Sequence, residues 1–206
     1  MKFTEEKLEH SFTDLLGQEG YPHHIGITLN RKVDEVLLED DLQRFLLKQY
    51  EDQGITANEV RSIILQLKSL SASDLYESNK TFLKMLSDGF ILKRENRNHK
   101  DIYVQLIDYN GLAKQKQPEE AQLLHIYGEP EEEYGKDNNI YKFVTQLEII
   151  GSERRIPDGI VYINGLPLVV FEFKSAVREE ATIFDAFNQL TVRYRRDIPE
   201  LFKYNA

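Results

Sequence analysis

The chain has 206 residues, no cysteine, 35 acidic against 26 basic side chains and a formal net charge of −9. That length can bury a sizeable core as one large domain or two small ones. The composition excludes a disulfide framework and a thiolate zinc site, and the acid excess argues against binding nucleic acid through bulk charge. No apolar run approaches bilayer-spanning length and no signal-peptide pattern opens the chain, so the expectation is a soluble, cytoplasmic protein with no membrane partner.

In chain order the pattern predicts helices first. Phe3 to Leu16 is amphipathic, with Phe3, Leu8, Phe12, Leu15 and Leu16 as the apolar stripe, and Gly17 and Gly20 mark its end. His23 and His24 lie beside Gly20, Tyr21, Pro22 and Gly26, which reads as a turn. Asp40–Tyr50 and Asn58–Leu70 follow as helices, the second with Asn58 as a natural N-cap. Asp74–Leu86 is a fourth, ending near Gly89. Ile102–Asp108 alternates like a strand and stops at Asn110-Gly111. Gln117–Asn139 is polar and acidic, above all at Glu129-Pro130-Glu131-Glu132-Glu133, and reads as a mobile loop. Tyr141–Ile150 is a strand, a hairpin follows, and Ala181–Arg195 is a helix. This order predicts an α/β (α+β) fold with a central mixed sheet of roughly four strands flanked by helices.

The hairpin carries the chemistry. Ile156–Ile163 and Leu168–Lys174 flank Asn164-Gly165, a strong two-residue turn signal. Residues two apart in a strand share a face, so Glu172 and Lys174 point one way while Phe171 and Phe173 point the other. If Ile163 faces Pro167, Asp158 falls opposite Glu172 with β-carbons roughly 5 Å apart. A slip of one residue would undo that pairing. Two such carboxylates repel, and a hard cation such as Mg²⁺ between them would relieve it while keeping several waters. A neighbouring lysine can act on a water or on an anionic transition state. Glu-x-Lys alone is weak, since it recurs at Glu5-Glu6-Lys7 in an exposed helix start. What distinguishes the second copy is its place inside Val169-Val170-Phe171-Glu172-Phe173-Lys174, where unpartnered charge would be expensive. On residues alone two readings stand: an edge strand with a structural salt bridge, or a metal site for hydrolysing a phosphodiester.

Pro157-Asp158 followed by Glu172-Phe173-Lys174 resembles the PD-(D/E)xK nuclease signature. The surrounding wording is narrower. Gln146, Arg154-Arg155-Ile156-Pro157-Asp158-Gly159, Asn164-Gly165-Leu166-Pro167-Leu168-Val169-Val170, Ala186-Phe187-Asn188-Gln189-Leu190 and Asp197-Ile198-Pro199-Glu200-Leu201-Phe202-Lys203-Tyr204-Asn205 resemble the N-terminal nuclease domain of the type I restriction enzyme R (motor) subunit. The likeness is clear over about 102–206 and faint before. It implies a restriction-endonuclease-like core at about 1–30 and 100–206, a helical insertion at about 31–93, and a single nuclease domain over 1–206. It implies Asp158 and Glu172 as Mg²⁺ ligands and Lys174 as the catalytic lysine. The family also has Gln-x-x-x-Tyr on the following helix. Here Gln189 is followed by Tyr194, one residue further, so either the helix is locally distorted or Gln189 alone keeps the role. Glu9 is the positional match for a first-helix glutamate found in many such enzymes, although an exposed helix residue also fits it.

The resemblance implies double-stranded DNA as substrate, with the motor domains of the full-length subunit and the methylase and specificity subunits as partners. ATP would enter only through motor domains, since this chain has no Gly-x-x-x-x-Gly-Lys-Ser/Thr loop. From Gly151 onward acidic and basic residues balance, and Arg193, Arg195 and Arg196 cluster where a DNA backbone could be touched or where a helix end is merely solvated. His10, His23, His24, His99 and His125 lack zinc-site spacing, and no Gly-x-Ser-x-Gly elbow occurs. The competing functions are another PD-(D/E)xK repair or junction nuclease, a non-catalytic docking module of the restriction complex, and a DNA-mimicking inhibitor.

Overall fold

Four strands, β1 (His23–Ile25), β4 (Tyr141–Thr145), β7 (Gly159–Ile163) and β8 (Leu166–Phe171), make the central sheet in the order β1-β4-β7-β8. The computed structural model describes residues 4–110, 137–174 and 183–205. β1 runs parallel to β4, and the other neighbours are antiparallel, so the sheet is mixed as expected. Two ribbons flank it: β2 (Phe90–Leu92) with β3 (Ile102–Val104), and β5 (Ile149–Ile150) with β6 (Arg154–Arg155). Among the described residues no helix is long and apolar enough to cross a membrane.

Strand alternation sends the two sheet faces into different environments. Val144, Ile160, Tyr162 and Leu168 join the main core. That core is completed by α2 (Glu39–Gln49), α3 (Ala57–Lys68) and α4 (Leu75–Asp88), whose Leu42, Phe45, Leu46, Val60, Ile63, Leu67 and Phe82 are fully or almost fully buried. The Tyr162 hydroxyl donates to Val36 O (3.0 Å), which satisfies the polar end of a fully buried ring. The opposite face is covered by α1 (Glu5–Gln18). Its Phe12 ring sits 5.7, 4.7 and 5.3 Å from those of Phe143, Phe171 and Phe173.

Several sequence expectations differ from the observed elements. His23–His24 belongs to a strand rather than a turn, because β4 supplies a parallel ladder (His23↔Phe143) that no local pattern announces. Tyr141–Ile150 is not one strand. Gln146 adopts φ 51, and the chain bends there against Gly26, where a Cβ would lie 2.6 Å from Gln146 O. Ile102–Asp108 pairs only over its first three residues, after which Leu106 and Ile107 turn into the core. The predicted acidic loop lies outside the described residues up to residue 136, as do the starts of the first and last predicted helices. The Asn139 side chain is bonded twice to the Asp108 backbone: Asp108 N–H donates to Asn139 Oδ1 (2.8 Å) and Asn139 Nδ2 to Asp108 O (3.0 Å).

A buried ion pair ties the helical part to the β2–β3 ribbon. Thr56, rather than the expected Asn58, caps α3 and forms a capping box with Glu59, because its side chain reaches the Glu59 N–H. Glu59 Oε1 also accepts from Arg94 Nε (2.7 Å) and Glu95 N (3.1 Å), while Arg94 donates to Gln53 O and Gly54 O. Burial alone would raise the Glu59 carboxyl; these donors outweigh it and hold it at about 2. Its contribution to stability is therefore present above the ordinary glutamate value and lost as pH falls toward about 2. We predict that Arg94→Ala destabilises the fold by about 3–5 kcal/mol, because it leaves Glu59 buried without its partner. Urea unfolding at neutral pH measures this. Repeating it between the ordinary glutamate value and about pH 2 should show a smaller acid loss in the variant than in the wild type.

Candidate functional site

The site is built by the β7–β8 turn. Asn164 and Gly165 adopt φ 53 and 78, the two left-handed residues of a type I′ hairpin turn. The Asn164 side chain is fully buried. Nδ2 donates to Leu106 O (2.9 Å) and Asn139 Oδ1 (2.8 Å), and Oδ1 accepts from Ile140 N (2.7 Å). A Cβ on Gly165 would stand 2.2 Å from Leu38 O, so the turn also needs glycine for the close approach of α2.

This turn pairs Ile163 with Leu166 and Tyr162 with Pro167, one residue away from the expected register. A bulge then intervenes, and Val161 faces Val169 while Gly159 faces Phe171. The extra residue is Leu168. Beyond it the expected alignment holds, and the next residues in line are Asp158 and Glu172. Without the bulge, Asp158 would instead face Phe171.

Glu172, Lys174 and Asp158 come together at the open end of the hairpin. The Glu172 side chain is only 2% exposed and that of Lys174 20%. Lys174 Nζ donates to Glu172 Oε1 (2.6 Å) and Phe173 O (3.1 Å). Asp158 Oδ2 accepts from Phe173 N (2.6 Å). Burial raises the pKa of both carboxyls. For Asp158 the Phe173 N–H and the Lys174 charge offset this only in part. Burial would lower Lys174, but the Glu172 hydrogen bond and the two carboxylate charges win and hold it above the ordinary lysine value. Lys174 is thus an ammonium ion beside both carboxylates.

The helix itself brings Tyr194 beside Gln189. Helix α5 (Ile183–Asn188) runs into a π-helical stretch, Gln189–Tyr194, and ends in one α-turn, Arg195–Asp197. Residues five apart stand roughly 140° apart on an α-helix, whereas a π-turn bonds i to i+5 and brings them onto one side. Gln189 Nε2 donates to the Tyr194 hydroxyl (2.7 Å), which reaches Glu172 Oε2 (3.0 Å). Both residues therefore adjoin the carboxylates.

Glu9 lies half-buried on α1. Its carboxyl is raised by burial and then by the Asp158 charge, so it faces the same end of the sheet. It also borders a groove of about 790 Å³ with Glu6, His10, Thr13, His23 and Thr145. Of the arginines, Arg193 and Arg196 line a cleft beside Gln189 and Tyr194, and Arg195 is exposed outside that lining. Sequence reasoning missed three contributors: the Phe173 N–H on Asp158, the cleft positions of Arg154 and Arg155, and Asp197, which binds Arg155 and Arg196. Alternation within β6 could have placed Arg155. Nothing local signals Asp197.

The family described as "Type I restriction enzyme R protein N terminus" matches residues 2–206. The chain belongs to the type I restriction enzyme R protein N-terminal family. It is 36% identical over 149 residues to the type I restriction enzyme HindI endonuclease subunit of Haemophilus influenzae, a match covering 71% of this chain and 12% of that protein. A Methanocaldococcus jannaschii protein provisionally named the MjaIXP type I restriction enzyme endonuclease subunit is 32% identical over 132 residues, 64% of this chain and 11% of its own length. The MjaVIIIP counterpart from the same organism is 37% identical over 68 residues, 33% and 7%. The matches therefore span only about a fourteenth to an eighth of the length of these relatives.

Within this R-subunit domain, Tyr194→Phe should remove one hydrogen bond from Glu172 while keeping the ring. That bond lowers the Glu172 pKa, so the variant should titrate Glu172 higher still. Carboxyl-carbon NMR of Glu172 across pH checks it, and an unmoved titration would show that the hydroxyl does not bond Glu172.

Proposed function

We propose that this domain is the DNA-cleaving part of a type I restriction enzyme, acting on phosphodiesters with little sequence preference of its own. The observation that carries the reading is the meeting of Asp158, Glu172, Lys174 and Tyr194 at one buried end of the hairpin. A structural salt bridge would need one carboxylate for one ammonium. Here two carboxyls with raised pKa face a single lysine, which leaves negative charge for a cation to balance.

The donor set fits Mg²⁺. Two carboxylates suit an ion that keeps several waters, and among the described residues no third His, Asp or Glu completes a cage. Bound between Asp158 and Glu172, the ion would supply charge that polarises the scissile phosphate and favours attack by water. The chain's own residues do the rest. The Phe173 N–H fixes the Asp158 carboxylate. Tyr194, oriented by Gln189, fixes Glu172. Lys174, kept protonated by its neighbours, offers an ammonium to the developing charge on phosphate oxygen, a fixed dipole in a partly dry site. Glu9 is an accessory carboxylate at the rim.

We read 1–206 as one nuclease domain with a helical insertion at about 31–93. Its partners would be double-stranded DNA, ATP-driven motor domains of a longer subunit, and the methylase and specificity subunits.

Calorimetry with Mg²⁺ or Mn²⁺ tests the metal site. Asp158→Ala should abolish binding, and equal binding by the variant would rule the site out. Protons compete for the same oxygens, so affinity should fall as pH drops through the raised carboxyl values, beginning above the ordinary carboxylate range. Lys174→Ala should retain metal binding and fold but lose double-strand cleavage in the full restriction complex, on the order of a hundredfold or more. Undiminished cleavage would defeat its assignment.

A further inference from the structure

We propose that Arg154, Arg155, Arg193 and Arg196 form a subsite for the DNA backbone phosphates flanking the scissile one, and that Asp197 is the positioning residue that assembles it. This rests on the nuclease reading above. The four guanidinium groups line one cleft of about 390 Å³, whose wall also contains Gln189 and Tyr194. Tyr194 is the residue that bonds Glu172, so the cleft opens beside the carboxylates.

The arginines come from separate parts of the chain, and a single carboxylate gathers two of them. Asp197 is 1% exposed. Its Oδ2 accepts from Arg155 Nε (2.7 Å), with Arg155 Nη2 at 2.5 Å in the ion pair, and from Arg196 Nη2 (3.1 Å), while Oδ1 accepts from Arg196 Nε (2.6 Å). Its backbone is held as firmly. Asp197 O accepts from Ser152 N (2.9 Å), and a Cβ on Gly151 would lie 2.1 Å from that oxygen. The β5–β6 turn and the end of the helix are thus locked together.

The charge is not consumed internally. Asp197, Glu148 (bonded to Arg154 at 2.7 Å) and Glu153 (near Arg196) are outnumbered by the guanidiniums. Arg193 has no carboxylate partner among the described residues. Planar forks held open by a buried anchor suit phosphate oxygens, and such contacts give affinity and register without reading bases.

The test is binding of a labelled random-sequence duplex to the 206-residue chain in EDTA, at several salt concentrations. Arg154→Ala with Arg193→Ala removes two exposed guanidiniums. It should weaken binding about tenfold or more at low salt and flatten the log–log salt slope by about 2. The matched pair Lys93→Ala with Arg97→Ala, away from the cleft, should leave both unchanged. Unchanged affinity in the cleft pair, or an equal loss in the distal pair, would overturn the subsite. Asp197→Ala separates positioning from charge. Deleting an anion should tighten DNA binding if Asp197 only adds negative potential, whereas loss of its grip on Arg155 and Arg196 should weaken binding and flatten the slope. Tighter binding would overturn the positioning role. Mg²⁺ calorimetry without DNA is independent of these arms, so failure of the cleft and failure of the metal site are told apart.

Discussion

The alignment of β7 with β8 is the constraint on which the site depends. A two-residue turn fixes one register, and a bulge at Leu168 changes it by one step before the strands reach their open end. The period of a strand is two, so that single step decides whether Glu172 and Lys174 or Phe171 and Phe173 line up with Asp158. The same step decides what α1 meets. With the aromatic pair turned toward Phe12, the charged pair is delivered to Tyr194 on the other side.

Once delivered, these groups are held in an electrostatically uneasy state. Two carboxyls sit sheltered from water, and each is harder to ionise for it. The donors nearby are few and specific: one amide, one ammonium and one hydroxyl. A protein built only for stability would gain more from apolar packing at these positions. That arrangement is the ground on which we propose a place for a cation on one side and a phosphate on the other.

Much of this was legible in the sequence, and the exceptions have physical reasons. The Asn164-Gly165 turn, the alternation of Phe171 and Phe173 with Glu172 and Lys174, and the helices α2 to α4 follow from local chemistry. The bulge does not, because Leu168 is one apolar residue among several and any of them could have been the extra one. The reach of Tyr194 stays open in the sequence, because a spacing of five meets Gln189 only on a distorted helix and nothing local marks the π-turns. The strand at His23–Ile25 exists only because β4 offers it a ladder. Asp197 is adjacent in sequence to Arg196 but distant from Arg155, so only the folded chain reveals that it serves both.

The pair of hydrogen bonds between Asp108 and Asn139 also steadies the hairpin. The two ends of the intervening segment are fastened at a single point, and Asn164 of the hairpin turn is anchored to that same point through Asn139. Asn139 is thus one fastening for stretches of chain that lie far apart in sequence, and losing its side chain would release Asp108 and the hairpin turn together.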